Sequence, residues 1–343
     1  MIDGKEMIKM ESRYLGNIKV SSIGMGCMAF SHGYGQIPSR QYAIEAIQQA
    51  YKHGCTFFDT AEGYGNVLYY EHHNEEIVGE ALKDVRNQVV IATKLKIHDD
   101  EVNEDMYEVC KRHLKASLKA LQTDYVDLYY LHRVNLQVPI EKVAKAMGKL
   151  IDEGLIRGWG LSQVDKKLLK KAHEITPVSA VQNLYNMLER DCEEEVIPYC
   201  LKHNIGLVPF SPIASGFLSG KVTSTSQFEK VDDVRVFVPQ LKNENIKANQ
   251  PVIDLLNEYA KKKHATNAQI SLAWMLKKYP HVVPILGSKN KERIIENLDA
   301  CQVELFDEEF KKLEESLNHI ECHGHRGIVE YQGGSMKDWG QNK

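Results

Sequence analysis

Four residues with different side-chain chemistry, here called the quartet, follow one another in the first half of the chain: Asp59, Tyr64, Lys94 and His132. A phenol is a poor acid at neutral pH, because its ordinary pKa is about 10. An ammonium from Lys94 beside Tyr64 would stabilise the phenolate, and Asp59 could hold that ammonium in place. His132 could then hydrogen-bond to the oxygen that Tyr64 protonates. The quartet therefore indicates protonation of a carbonyl oxygen while the carbonyl carbon accepts a hydride.

Short apolar runs alternate with longer amphipathic stretches along most of the chain. Eight runs have the length of strands buried on both faces: 21–26, 56–60, 89–94, 126–132, 158–162, 180–185, 206–211 and 282–287. Helical patterns between them include 39–54, 74–83 and 139–154, several of which begin at Ser, Asn or Pro and end at Gly. The alternation predicts a (β/α)8 TIM barrel as a single domain over residues 1–343, with a doubly wound sheet as the alternative.

Three parts of the chain depart from this alternation. Residues 1–12 are predicted to be a tail, and 11–20 a β-hairpin with a Gly-Asn turn that caps the bottom of the barrel. The polar stretch 222–250 is predicted to be a long loop of the kind that often serves function. Residues 322–343 are predicted to form a C-terminal tail or lid.

The predicted strands place the quartet at one end of the barrel. Asp59, Lys94 and His132 end the second, third and fourth runs, and Tyr64 lies just after the second. Barrel enzymes build their active sites at this C-terminal face. Taken singly, Asp59 could be a turn cap and His132 a structural histidine. A lysine at the end of an apolar run is costly to bury unless it is paired, so the combination favours a site.

Several longer motifs occur in a familiar order: DTAEGYG, VVIATK, DYVDLYYLH, GLIRGWGLS, VQNLYN, PFSPIASGFLSG and PILGSKNKERIIEN. From about Tyr14 to Asn297 the chain resembles the aldo-keto reductase superfamily. The resemblance implies a (β/α)8 barrel that transfers a hydride between NADP(H) and a small-molecule aldehyde, ketone or alcohol. It also implies that the quartet supplies the catalytic Asp, Tyr, Lys and His of that family.

The resemblance further implies a cofactor site without a Rossmann domain. GMGCMA at 24–29 matches G-x-G-x-x-A only weakly, because the next helical pattern begins near Ser39 rather than directly after the glycines. Residues expected at the nicotinamide end are Gly26, Cys27, Met28 and Asp59, with Ser162 and Gln182 on the carboxamide and Phe210, followed by Ser211 and Pro212, stacking on the ring. Gln163 departs from the family, where Asn commonly follows this serine.

The segment 287–297 is expected to hold the phosphate end of the cofactor. Gly287 and Ser288 would precede a helix start at the phosphate-binding end of the barrel. Lys289 and Arg293 are spaced to clamp a 2′-phosphate. The resemblance assigns Glu296 and Asn297 to adenine contacts. This set favours NADPH over NADH.

Composition narrows the possible partners. A net charge of -4 gives no support for nucleic-acid or anionic-membrane binding, and no apolar stretch is long enough to span a bilayer. Seven singly placed cysteines and the polar start indicate a reducing, cytoplasmic location. The clusters at 71–73 and 322–325 lack a convincing ligand set, so no metal is expected.

Two other functions stay open on the sequence alone. The first is an NADPH-binding regulatory or sensor subunit of the potassium-channel β-subunit type, in which little turnover would occur. The intact quartet argues against it, because a sensor could lose Tyr64 without harm. The second, a glycoside hydrolase, would need two facing carboxylates, and only Asp59 stands at a strand end. Neither the carbonyl compound, nor the direction of reaction, nor the oligomeric state follows from the sequence.

Overall fold

A β-hairpin precedes the main sheet in the computed structural model, which describes residues 10–228 and 232–327. Strands β1 (Ser12–Leu15) and β2 (Ile18–Ser21) pair antiparallel across a turn in which Gly16 has φ +59°. Leu15 is fully buried and packs against Gly206 at the start of a barrel strand. The hairpin therefore caps the N-terminal end of the barrel, as predicted.

Eight parallel strands form the barrel: β3 (Gly24–Gly26), β4 (Phe57–Asp59), β5 (Val90–Leu95), β6 (Val126–Leu131), β7 (Ile156–Ser162), β8 (Ala180–Gln182), β9 (Gly206–Leu207) and β10 (Ile285–Gly287). Their order is β10-β3-β4-β5-β6-β7-β8-β9. A parallel bridge between Leu207 and Val282 joins the two ends of this sheet. Each strand coincides with one predicted run, so the barrel is confirmed and the doubly wound alternative is wrong.

Helices connect the strands and cover their outer faces: α1 (Arg40–Lys52), α2 (His73–Leu82), α3 (Met106–Leu121), α4 (Ile140–Asp152), α5 (Lys166–His173), α6 (Val196–Lys202), α7 (Asn243–Ala248), α8 (Gln250–Lys263), α9 (Asn267–Lys278), α10 (Lys291–Leu298) and α11 (Asp307–Asn318). Short 3₁₀ helices occur at Met28–Phe30, Lys83–Gln88, Asp191–Glu193, Ala214–Ser219, Val234–Phe237, Pro239–Leu241 and Asp299–Gln302. Side chains of Ser39, Asp105 and Asn290 accept backbone N–H bonds at helix starts, which satisfies otherwise orphaned donors. No helix in the described ranges is long and apolar enough to cross a membrane.

The predicted long loop at 222–250 contains helical turns and α7 in the part that the structure describes. Val238, Leu241 and Ile246 are buried, but their irregular spacing follows neither the helix nor the strand period, so the sequence pattern did not predict this packing. The side chain of Asn249 both donates to and accepts from the backbone of His323, each at 2.8 Å, and so docks the chain end on this segment. The parts of the two predicted tails at 1–9 and 328–343 lie outside the described residues.

Close packing of α2 against the end of α3 depends on Gly79. A Cβ atom at this position would lie 2.6 Å from the backbone carbonyl of Leu121. Alanine normally stabilises a helix interior relative to glycine by roughly 0.5–1 kcal/mol. The overlap involves backbone, which cannot move aside as a flexible side chain can, and overpacking costs about 1–3 kcal/mol. We expect this cost to exceed the gain in helix propensity.

We therefore expect Gly79→Ala to lower the free energy of unfolding, measured by urea denaturation. Glu80→Ala, next along the helix and half-exposed beside Arg40, provides the control and should change it by less than about 1 kcal/mol. A stabilised Gly79→Ala protein would show that the helices can separate without cost.

Candidate active site

Alternation along the strands brings the predicted site residues into one layer. Interior-facing side chains such as Phe57, Ala92 and Tyr130 fill the barrel, and the next inward position lies two residues further along each strand. Those positions, at the C-terminal ends of the eight strands, are Gly26, Asp59, Lys94, His132, Ser162, Gln182, Phe210 and Gly287. The barrel thus brings together three members of the quartet and five predicted cofactor residues at its strand ends or just beyond them.

Tyr64 joins this layer from the loop after β4. The Lys94 ammonium donates to the Tyr64 hydroxyl at 3.1 Å, to the Thr60 carbonyl at 2.7 Å and to the Asp59 carboxylate in a short ion pair. Burial acts to lower the pKa of Lys94, but Asp59 and Tyr64 hold that pKa above its ordinary value. Burial likewise raises the pKa of the Tyr64 phenol, and Lys94 acts in the opposite direction. At neutral pH the site therefore presents a protonated phenol beside a charged ammonium.

His132 faces the same phenol. Its ring lies 5.5 Å from the ring of Tyr64, centroid to centroid, and the two planes are nearly perpendicular. Burial and the positive charges of Arg133 and Lys94 lower the pKa of His132 well below its ordinary value. The imidazole is consequently neutral at physiological pH and can donate one N–H without carrying a charge.

A cavity of about 770 Å³ opens on this layer, a size within the range of small-molecule and cofactor sites. Its lining includes Asp59, Tyr64 and His132 together with almost every residue predicted to bind the cofactor. Cys27 is the exception. Its side chain is fully buried in the core between the barrel and the helices, because it follows the inward position of Gly26 and points outward.

Some of the predicted nicotinamide contacts have partners within the protein. The amide nitrogen of Gln182 donates to Asp59 at 2.8 Å, so this side chain also orients the carboxylate of the quartet. The Ser162 hydroxyl accepts from Arg133 at 3.1 Å, and the Ser211 hydroxyl accepts from Arg326 at 3.0 Å. Both arginines line the cavity, although neither was predicted from the sequence as a cofactor-binding residue. For Arg133 the signal was available, since it directly follows His132.

The predicted phosphate end of the cavity has a helix start and one exposed guanidinium. Asn290 caps α10 by accepting the backbone N–H of Arg293 at 2.8 Å, and the Arg293 side chain lines the cavity from the solvent side. Glu296 and the buried Asn297 line the same end. Lys289 also lines the cavity. Its ammonium donates to the carbonyl oxygens of Tyr34 and Gln36, so it links this segment to the loop after β3.

The other residues singled out in the sequence have structural contacts. Gln163 is buried with φ +56°, and its side chain accepts the backbone N–H of Leu184 at 3.2 Å. His72 pairs with Glu75 at 2.5 Å, and His73 bonds to Ser31 at 2.9 Å. Within residues 10–228 and 232–327, no three His, Cys, Asp or Glu side chains come together as metal ligands.

Known proteins resemble the chain over most of its length. A family model described as the aldo/keto reductase family matches residues 22–318. The chain belongs to this family. It is also 35% identical to the probable aldo-keto reductase 1 of Glycine max over 309 residues, which covers 87% of this chain and 86% of that protein. Family membership makes the chain an oxidoreductase.

Solved structures of aldo-keto reductases share the fold over nearly the whole chain. The glycerol dehydrogenase AKR11B4 from Gluconobacter oxydans superposes with a TM-score of 0.80 at 26% identity, covering 93% of this chain and 98% of that one. An aldo/keto reductase from Klebsiella pneumoniae in complex with NADP and acetate has a TM-score of 0.71 at 26% identity, covering 94% and 100%. The barrel is therefore that of the family.

The environment of His132 predicts its titration. The pKa of His132 in the folded protein lies below its value near 6.5 in the unfolded chain, so the unfolded chain takes up a proton first as the pH falls. The contribution of His132 to the free energy of unfolding is therefore present above pH 6.5 and is lost as the pH falls below it. We expect nitrogen NMR of protein labelled at its histidine rings to show a neutral His132 ring at about pH 6. The His132 signal is identified as the one that disappears in the His132→Gln variant. A ring that becomes protonated near its ordinary pKa would contradict this description of the site.

Proposed function

We propose that the protein is an NADPH-dependent reductase that converts an aldehyde or ketone to an alcohol, or catalyses the reverse reaction, with Tyr64 as the general acid. The observation that supports this most directly is the 3.1 Å hydrogen bond between the buried Lys94 ammonium and the Tyr64 hydroxyl at the edge of the cavity. Family membership supplies the reaction class, and the quartet supplies the groups that such a reaction needs.

The cavity suits a dinucleotide phosphate. Phe210 offers an aromatic face beside the quartet, and the open space above Gly287 leaves its backbone accessible at the other end. Arg293 stands at the start of α10, where a helix N-terminus and a guanidinium both favour a phosphate. The relatives from Klebsiella pneumoniae were solved with NADP or NADPH, which supports the same cofactor here.

When bound, NADPH supplies the hydride that is added to the carbonyl carbon. Tyr64 gives its hydroxyl proton to the carbonyl oxygen, so that the C=O bond becomes an alcohol, and solvent later restores the phenol. Lys94 stabilises the phenolate that forms, and Asp59 keeps the ammonium charged and in position. Neutral His132 donates a hydrogen bond to the oxygen as negative charge develops on it.

Replacement of Tyr64 by Phe removes the proton donor and keeps the ring. We expect Tyr64→Phe to lower kcat for an aldehyde by about 10²–10⁴-fold, the usual contribution of general acid catalysis. The Kd of NADPH, measured by the quenching of protein fluorescence, should be unchanged. Tyr69→Phe is the matched control, because Tyr69 lies in the same loop, is 48% exposed and stacks on His73.

Undiminished turnover in Tyr64→Phe would exclude Tyr64 as the acid. A native protein that binds NADPH tightly, yet reduces no compound in a panel of aldehydes and ketones, would instead favour the sensor function. Absorbance of the reduced nicotinamide reports turnover directly.

Arg293 should set the preference for NADPH over NADH. A hydrogen bond to a charged group is worth roughly 1.5–3 kcal/mol, so Arg293→Ala should weaken NADPH binding by about 10–100-fold. Binding of NADH, which lacks the 2′-phosphate, should change little. Lys291→Ala serves as the control, since Lys291 lies in the same turn but pairs with Glu45 at 2.5 Å. Equal losses for both cofactors would show that Arg293 does not contact the 2′-phosphate.

A further inference from the structure

A second chain of charged side chains runs from the Tyr64 loop to α3. The Glu62 carboxylate accepts the backbone N–H of Lys96 at 2.7 Å, and its other oxygen lies 2.8 Å from Nδ1 of His113. Nε2 of His113 lies 2.9 Å from the carboxylate of Glu101. Glu62 is only 2% exposed, so water offers this carboxylate little compensation if the protein contacts are lost.

His113 therefore has a carboxylate at each ring nitrogen. A neutral imidazole carries a single N–H and would turn a lone pair towards one of the two carboxylates. An imidazolium donates to both through charge-assisted hydrogen bonds. Burial acts to lower the pKa of His113, but Glu62 and Glu101 raise it to about 9. His113 is consequently a cation at neutral pH.

Glu62 connects this cation to the proton donor. It lies two residues before Tyr64, and its side chain bonds to Lys96, two residues after Lys94 on the neighbouring strand end. Its backbone N–H also donates to the Lys94 carbonyl at 3.3 Å, and its carbonyl accepts from His72 at 2.7 Å. Glu62 thereby fixes the loop that carries the phenol against the strand that carries the ammonium.

We propose that His113 and Glu62 are positioning residues of the active site, in which the imidazolium holds the Glu62 carboxylate and Glu62 holds the Tyr64 loop against the end of β5. The inference rests on the proposed function, because it concerns how Tyr64 is presented to a carbonyl. His113 lies on α3 and does not line the cavity, so it acts only through Glu62.

Other ionisable groups surround the pair and could affect its titration. They are His98, Glu101 and Glu104 between β5 and α3, Cys110 and Arg112 on α3, Glu75 on α2 and Tyr129 on β6. Burial raises the pKa of Cys110 to about 12 and that of Tyr129 well above its ordinary value, so both stay protonated while His113 titrates. Because the His113 pKa is raised, its stabilising contribution is fully present below the unfolded pKa near 6.5 and is lost as pH rises through about 9.

The test compares full-length protein with His113→Gln, with His319→Gln as control because His319 is exposed on the distant α11 end. In the parent protein, kcat for an aldehyde with NADPH should fall as pH rises through about 9, before Tyr64 titrates. His113→Gln should lower kcat at neutral pH by roughly 10–100-fold, as expected for a displaced catalytic group, and should lose this alkaline break. The Kd of NADPH should stay at the parent value, and His319→Gln should match the parent throughout.

A milder variant keeps the test valid if His113→Gln does not fold. Glu101→Gln removes the outer carboxylate and leaves the Glu62–His113 contact, so the NMR titration midpoint of His113 and the break in kcat should move together to lower pH. A break that stays in place while the midpoint moves would overturn the inference, as would a His113→Gln profile identical to the parent profile. Failure of the proposed function looks different, since the parent itself would then reduce no aldehyde.

Discussion

The ammonium of Lys94, enclosed at the top of the barrel, is the constraint on which the site depends. Its side chain is fully buried, and even after relaxation a buried ion costs several kcal/mol unless partners replace water. The protein supplies three acceptors, the Asp59 carboxylate, the Thr60 carbonyl and the Tyr64 hydroxyl. Gln182 then fixes the second oxygen of Asp59. The arrangement that makes burial of the charge tolerable is the same one that places a cation beside the phenol.

The register of the parallel strands places the partners that the Lys94 ammonium needs. Asp59 pairs with Ala92 and Lys94 with Tyr130 across adjacent strands, so hydrogen-bonded backbone fixes both charged residues. Tyr64 has no strand to hold it, because it lies beyond the end of β4. Its loop is held instead by side chains, among them Asn74, whose backbone N–H donates to the Tyr64 carbonyl and whose side-chain nitrogen donates to the carbonyl of Cys27 at 2.9 Å. The one member of the quartet that lies outside the strand ends is therefore held by contacts between its loop and α2.

Strand periodicity explains which site residues could be predicted from the sequence. Asp59, Lys94 and His132 end buried apolar runs, and the common C-terminal face of a barrel follows from the alternation with helices. The same periodicity, applied strictly, would have placed Cys27 in the outer core, because it follows the inward Gly26. The bond from Gln182 to Asp59 and the carbonyl contacts of Lys289 depend on side-chain and loop conformations between distant segments, for which the sequence carries no periodic signal.

Two cations with different roles lie beside the Tyr64 loop, the fully buried Lys94 and the partly buried His113. Lys94 touches the phenol, and its pKa is held above its ordinary value of 10.5, while burial keeps that of Tyr64 above 10.0. His113 supports the loop from behind, and its pKa is about 9. As pH rises, the support therefore loses its proton before the groups of the proposed chemistry do. If His113 positions the Tyr64 loop as proposed, loss of its proton near pH 9 would set the alkaline limit of turnover.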